Sequence, residues 1–200
     1  MALKVTVQPT VEPVSLTEAK SHCRVDIDDD DILIQSYIKA ARIYAEGLQN
    51  RAFVTRTYEL WLDGFPYGHY PYGRGIEIPM PPLVSVTSID IYATDNTKTT
   101  DTTLTNYFID TKSEPGRILL AYSCLWPTTV LRPANGVCIT FVAGYGVAEV
   151  VPENVKAAIK LIVGHLYEHR ESIIEGRGFT PAELPMGVEA LLGIERVWPV

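Results

Sequence analysis

The sequence predicts an α+β protein: a helical core built from N- and C-terminal helices, with an inserted antiparallel β domain. Three observations carry this. Apolar residues repeat at steps of three and four near both ends of the chain. Between about Thr55 and Gly146 the period falls to two, and turn signals punctuate that middle stretch. The expected division is residues 1–53 as the N-terminal helical part, 54–148 as the β-rich insertion, and 149–200 as C-terminal helices and tail completing the core.

The first element opens at Ser15-Leu16-Thr17-Glu18, a capping box in which Ser15 and Glu18 each satisfy the other's backbone amide. Val14 and Ala19 are placed for a hydrophobic staple, and the short helix ends near Arg24-Val25-Asp26. A second, longer helix starts in Asp28-Asp29-Asp30-Asp31, where carboxylates meet free amides and the positive end of the helix dipole. Its expected buried stripe is Ile34, Tyr37, Ile38, Ala41, Tyr44, Ala45 and Leu48, with Gln35, Lys39, Arg42 and Glu46 outside it.

In the middle, Tyr58, Leu60 and Leu62 alternate with polar neighbours. So do Val84 and Val86 and, past an expected bulge, Ile89 and Ile91. Short runs follow at 107–109, 117–122 and 137–142, separated by Asp63-Gly64, Asp95-Asn96, Glu114-Pro115-Gly116 and Asn135-Gly136. Five or six short strands so spaced predict a small antiparallel sheet folded on itself, with the Thr-rich stretch 94–105 as a polar loop or edge. Helix returns with Pro152 in its first turn and a stripe of Val155, Ala158, Ile159, Ile162, Val163, Leu166 and Tyr167. A Gly- and Pro-marked break over 176–185 precedes a short last helix carrying Val188, Leu191 and Leu192.

Composition narrows the function classes. The 200 residues are 46% hydrophobic and 20% charged, an ordinary globular balance and not that of a disordered scaffold. A net charge of -7, with 17 scattered Lys and Arg, argues against tight non-specific binding of phosphate backbones. Three cysteines without CxxC spacing read as small buried hydrophobes in a reducing compartment. With no long apolar run and no apolar segment after Met1, the chain is expected to be soluble, without a membrane span, and made in a cytoplasm.

Four stretches hold residues of the types that carry chemistry or binding. His165-Leu166-Tyr167-Glu168-His169 fits the H-x-x-E-H pattern of inverted zinc proteases, with two histidines on one helix face and a Glu as base. Only 31 residues follow it, too few to expect a separate helix bringing a third ligand, and the polar flank of an amphipathic helix explains it better. Asp26, Asp28 and Asp30 imitate a calcium loop, but its sixth and twelfth positions hold Asp31 and Tyr37 instead of Gly and Glu. No phosphate, dinucleotide or serine-hydrolase motif is present. The reading is therefore no catalytic residue, no metal and no cofactor.

Two stretches point to partner contact instead. Tyr67, Tyr70 and Tyr72 crowd a Gly- and Pro-rich loop, suited to a neighbouring subunit or to a sugar in a carbohydrate-binding module. Val197, Trp198, Pro199 and Val200 put bulky apolar side chains where a chain end is usually polar, either folding back or docking on a partner.

Taken in order, several segments resemble the head–tail connector (adaptor) proteins of long-tailed bacteriophages and prophages. They are residues 13–20 (PVSLTEAK), Arg24-Val25-Asp26, the aspartate run, 37–42 (YIKAAR), 82–86 (PLVSV) and 142–146 (VAGYG). Residues 152–159 (PENVKAAI), 167–171 (YEHRE) and 184–192 (LPMGVEALL) complete the set. The resemblance implies a virion structural protein of the neck, synthesised in the bacterial host's cytoplasm. It implies a homo-oligomeric ring, typically a dodecamer, beneath the portal protein. That ring would dock a downstream neck or tail-completion protein and let genomic DNA pass its lumen without specific binding. The family offers no catalytic residues, and its pattern covers Tyr167-Glu168 while leaving His165 incidental.

Overall fold

The computed structural model describes residues 1–66, 75–169 and 186–198. By internal contacts the chain divides into two units, Met1–Pro9 with Thr55–Tyr145, and Thr10–Val54 with Gly146–Val200.

The first unit is built of antiparallel strands. A five-stranded sheet runs in the order β1 (Ala2–Val7), β2 (Arg56–Leu62), β8 (Val137–Ala143), β4 (Leu83–Tyr92), β5 (Lys98–Asp101). A three-stranded sheet runs β3 (Ile76–Ile78), β7 (Gly116–Leu120), β6 (Tyr107–Asp110). The alternation in β2 and β8 turns Tyr58, Leu60, Ile139 and Phe141 into a buried face. Tyr58 stands opposite Phe141 across the ladder, their rings stacked 5.2 Å apart.

Two strands were not foreseen, β1 and β3. β4 also departs from the simple alternation: its pairing with β8 shifts between Leu83 and Ser85 and again between Val86 and Ser88. The two shifts cancel, so Leu83 and Ile89 lie on the same buried face, and Val84 faces solvent. The Thr-rich stretch contributes β5, the edge strand of the larger sheet.

The second unit is helical: α1 (Leu16–Cys23), α2 (Asp31–Gln49), α3 (Glu153–Glu168) and α4 (Met186–Gly193). The capping box forms as expected. Ser15 Oγ accepts from the Glu18 amide at 3.2 Å and Glu18 accepts from the Ser15 amide at 2.7 Å. Those bonds to Ser15 hold the Glu18 carboxyl below its ordinary pKa. Val14 and Ala19 are buried beside the cap. Gly164 on α3 lets α1 approach closely, since a Cβ there would stand 3.3 Å from His22 Nε2.

The stripe of α2 is rotated from its sequence prediction. Ile34, Ile38, Ala41 and Ala45 are buried, but so are Arg42 and Glu46, while Tyr44 is exposed. The reason is an ion network. Arg42 Nε donates to Glu12 at 2.6 Å, its Nη1 donates to Glu46 at 3.0 Å, and the other Glu46 oxygen accepts from the Phe53 amide at 3.0 Å. Burial pushes the guanidinium pKa down, and the two carboxylates more than offset it.

The aspartate run is likewise more than a dipole partner. Lys20 Nζ bonds Asp28 at 2.6 Å and Asp31 at 2.7 Å. Asp30, at the N-cap of α2, makes no side-chain cap bond and instead accepts from the Tyr167 hydroxyl of α3 at 2.7 Å. Pro152 sits at the N-cap of α3, one place before the predicted first turn. Val188 and Leu192 of α4 are buried as predicted, and the break over 176–185 lies outside the described residues.

Candidate partner-contact surface

The C-terminal segment is held by its backbone. α2 ends in Asn50, left-handed at φ 54, a conformation that Asn tolerates at a helix terminus. Around that end, Gln49 Nε2 donates to the Leu192 carbonyl at 2.8 Å, and Arg51 Nε donates to the Glu195 carbonyl. The Val197 amide donates to the Gln49 carbonyl at 2.9 Å, and Asn50 Nδ2 donates to the Val197 carbonyl at 2.9 Å. The chain is thus fixed up to Val197, which is half-buried.

Beyond that clamp, Trp198 is 69% exposed, and the Arg196 guanidinium lies 4.3 Å from its ring centroid. Folding back and facing outward are divided between backbone and side chain. Pro199, Val200, Tyr67, Tyr70 and Tyr72 lie outside the described residues.

Two further surfaces of the helical unit were not foreseen. The exposed positions of α2 are Ile32, Gln35, Ser36, Lys39, Ala40, Ile43, Tyr44 and Gly47, a face with one charge, at Lys39. Beside α2, an open cleft of about 430 Å³ is lined by Val11, Val14, Leu16 and Ile38, with Glu12, Gln35, Lys39 and Ala148 around them. Its sequence signal was present: Val11 and Val14 precede the capping box, where a single staple contact needs only one of them.

The enzymatic alternative finds no support. His165 and His169 stack on each other at 4.7 Å, and among the described residues no three His, Cys, Asp or Glu gather as a metal site. Burial, and then the nearby Glu168 carboxylate, push the Cys23 thiol pKa up, so that thiol is no activated nucleophile. Of the calcium-like aspartates, Asp28 pairs with the Lys20 ammonium and Asp30 accepts from the Tyr167 hydroxyl. Among the described residues no helix is long and apolar enough to cross a membrane.

Comparison with known proteins agrees with this picture. No curated protein matches the chain. Three solved structures match over 100% of this chain and 97% of theirs. One is the neck of an empty gene transfer agent particle computed with C6 symmetry, at 21% identity and TM-score 0.77. Another is the virion of a native gene transfer agent particle, at 22% and 0.78. The third is the neck of a native particle computed with C12 symmetry, at 22% and 0.71. These likenesses establish the α+β fold over the whole chain. Residues 13–108, from the capping box through α1 and α2 and into the strands, match the family model described as phage gp6-like head-tail connector protein.

Proposed function

We propose that this protein is a head–tail connector subunit, a non-enzymatic structural component of the virion neck. The observation that carries the reading is the family match over residues 13–108, joined to a whole-chain likeness to structures titled as particle necks. In this reading copies of the chain form a ring, twelve in number, beneath the portal protein. The ring extends the DNA channel and docks the next neck or tail-completion protein.

The surface chemistry supports it. A head-to-tail ring needs two different adhesive surfaces on each subunit. The exposed face of α2, with Lys39 as its one charge, and the apolar cleft by Val11 and Ile38 are two such surfaces. A net charge of -7 suits a lumen through which DNA slides without being gripped. Val197 and Trp198, with Pro199 and Val200 after them, are the proposed tail contact, and Tyr67, Tyr70 and Tyr72 the proposed loop contact.

Electron microscopy of purified particles tests the reading. The expected result is a ring of this chain between head and tail, and tailless heads when the chain is omitted. Finding the chain absent from the neck of mature particles refutes the proposal.

A further inference from the structure

Trp198 and the cleft are a projecting anchor and an open apolar socket on the same chain. Tryptophan is the residue most often found as the energetic centre of a protein interface, seated in a pocket that excludes water. A cleft of about 430 Å³ is large enough to take an indole. The two do not meet within one subunit. The Val197 amide is fixed to the Gln49 carbonyl at the C-terminal end of α2, whereas the cleft uses Gln35, Ile38 and Lys39. From Gln49 back to Ile38 is eleven positions along the helix, about 16 Å at 1.5 Å per residue. One residue beyond Val197 adds at most about 3.6 Å, and the ring's own length does not make up the difference.

Charge complementarity selects the partner. Arg196, stacked on the Trp198 ring, travels with it, and the cleft wall at Ala148 is followed by the exposed Glu149. An incoming indole with its guanidinium therefore finds an apolar floor whose polar rim holds Glu12 and Lys39, with the exposed Glu149 next to Ala148 along the chain. One anchor and one socket per chain also form a head-to-tail pair, the arrangement that closes into a ring. We infer that Trp198 of each subunit inserts into the Val11–Val14–Leu16–Ile38 cleft of the next copy of this chain, with Arg196 beside the neighbour's Glu149. The inference rests on the connector reading and specifies one contact of its ring. The fixed backbone up to Val197 presents the indole already ordered, which lowers the entropy lost on docking.

The test places a photo-reactive benzophenone amino acid at position 198 of the full chain and irradiates assembled necks. The expected product joins two copies of this chain, with the linkage mapping to residues 11–16 or 35–39. A linkage to a different virion protein, or to another stretch of this chain, overturns the inference. Two substitutions provide an independent arm. Trp198→Ala removes the anchor and Val11→Trp fills the socket; each is expected to lower ring yield roughly tenfold or more while the circular dichroism spectrum is unchanged. Rings formed at the normal yield by folded Trp198→Ala protein overturn the inference and leave the connector reading standing. A wild-type chain absent from the neck removes both.

Discussion

Arg42 offers the most demanding test of how the helical unit is held together. Its side chain is 4% exposed and Glu46 is 3% exposed, so the pair is shielded from water, while the Glu12 side chain at 21% retains some access to solvent. Replacing Arg42 by Met keeps the length of the side chain and removes the charge. Glu12 can then be rehydrated, which limits its share of the loss to about 1 kcal/mol. Glu46 cannot, and keeps the Phe53 amide to offset its burial. Stranding one member of a buried pair costs roughly 3–5 kcal/mol, so Arg42→Met should destabilise the unit by about 3–4 kcal/mol.

The companion change is Glu46→Gln, which keeps an acceptor for the Phe53 amide without the charge. In the Arg42→Met background it should restore part of the loss, giving a coupling of about 2 kcal/mol between the two positions. Urea unfolding of the four proteins, with equal slopes as the check on a common unfolded state, measures it. A cost for Arg42→Met below about 1 kcal/mol, or additive effects of the two changes, would refute the account of a shielded ion network.

Five further outcomes follow. Asp110 accepts from Ser113 Oγ and Arg117, and from the amides of Lys112 and Ser113, and these bonds hold its carboxyl well below the usual range. A depressed folded pKa contributes stability above the unfolded value near about 4 and loses it as pH falls from there. The Lys112 and Ser113 amides should therefore lose exchange protection in acid, and in Asp110→Asn they should be weakly protected at every pH. Gly47 is exposed in α2 with nothing within 4 Å of an added Cβ, so Gly47→Ala should stabilise by about 0.5–1 kcal/mol. Gly116→Ala, whose Cβ would stand 2.6 Å from Leu83 Cβ, should destabilise by about 1–3 kcal/mol; thermal melts read both. Cys138, its thiol pushed up to about 12 by burial and then by Glu59 and Asp90, should resist alkylation at pH 8 in the folded protein and react once it is unfolded. Asn50→Gly keeps the left-handed helix end but deletes the bond to the Val197 carbonyl; assembly should weaken measurably in sedimentation, and less than with Trp198→Ala.

The features legible in the sequence are those whose causes are local. The capping box at Ser15 and Glu18 needs four consecutive residues, and the alternation of β2 needs one strand. The phase of the α2 stripe was misread because Arg42 and Glu46 look like surface charges until Glu12, thirty residues upstream, is placed beside them. β1 carries no inward-facing pattern, since Val5 alone of its six residues is even half-buried; its strand character comes from pairing with β2, far along the chain. In β4 the bulges turn the sequence alternation over twice, so no single period describes it. The cleft was legible only at Val11 and Val14 for a related reason, as its walls come from three separate stretches of chain.

At the chain's end, the sequence posed fold-back and docking as alternatives because it counted apolar residues without separating backbone from side chain. Hydrogen bonds tie the backbone of Glu195 and Val197 to the C-terminal end of α2. The Val197 amide donates to the Gln49 carbonyl that the helix terminus leaves open, and the Arg51 and Asn50 side chains donate to the Glu195 and Val197 carbonyls. None of those bonds uses the indole. Fixing the chain up to Val197 therefore does not compete with binding through Trp198 but prepares it, because a side chain presented on an ordered backbone loses only its own rotamer freedom when it docks. That division of labour requires an α2 that ends in a left-handed residue bearing a side-chain donor, and Asn50 meets both conditions at one position.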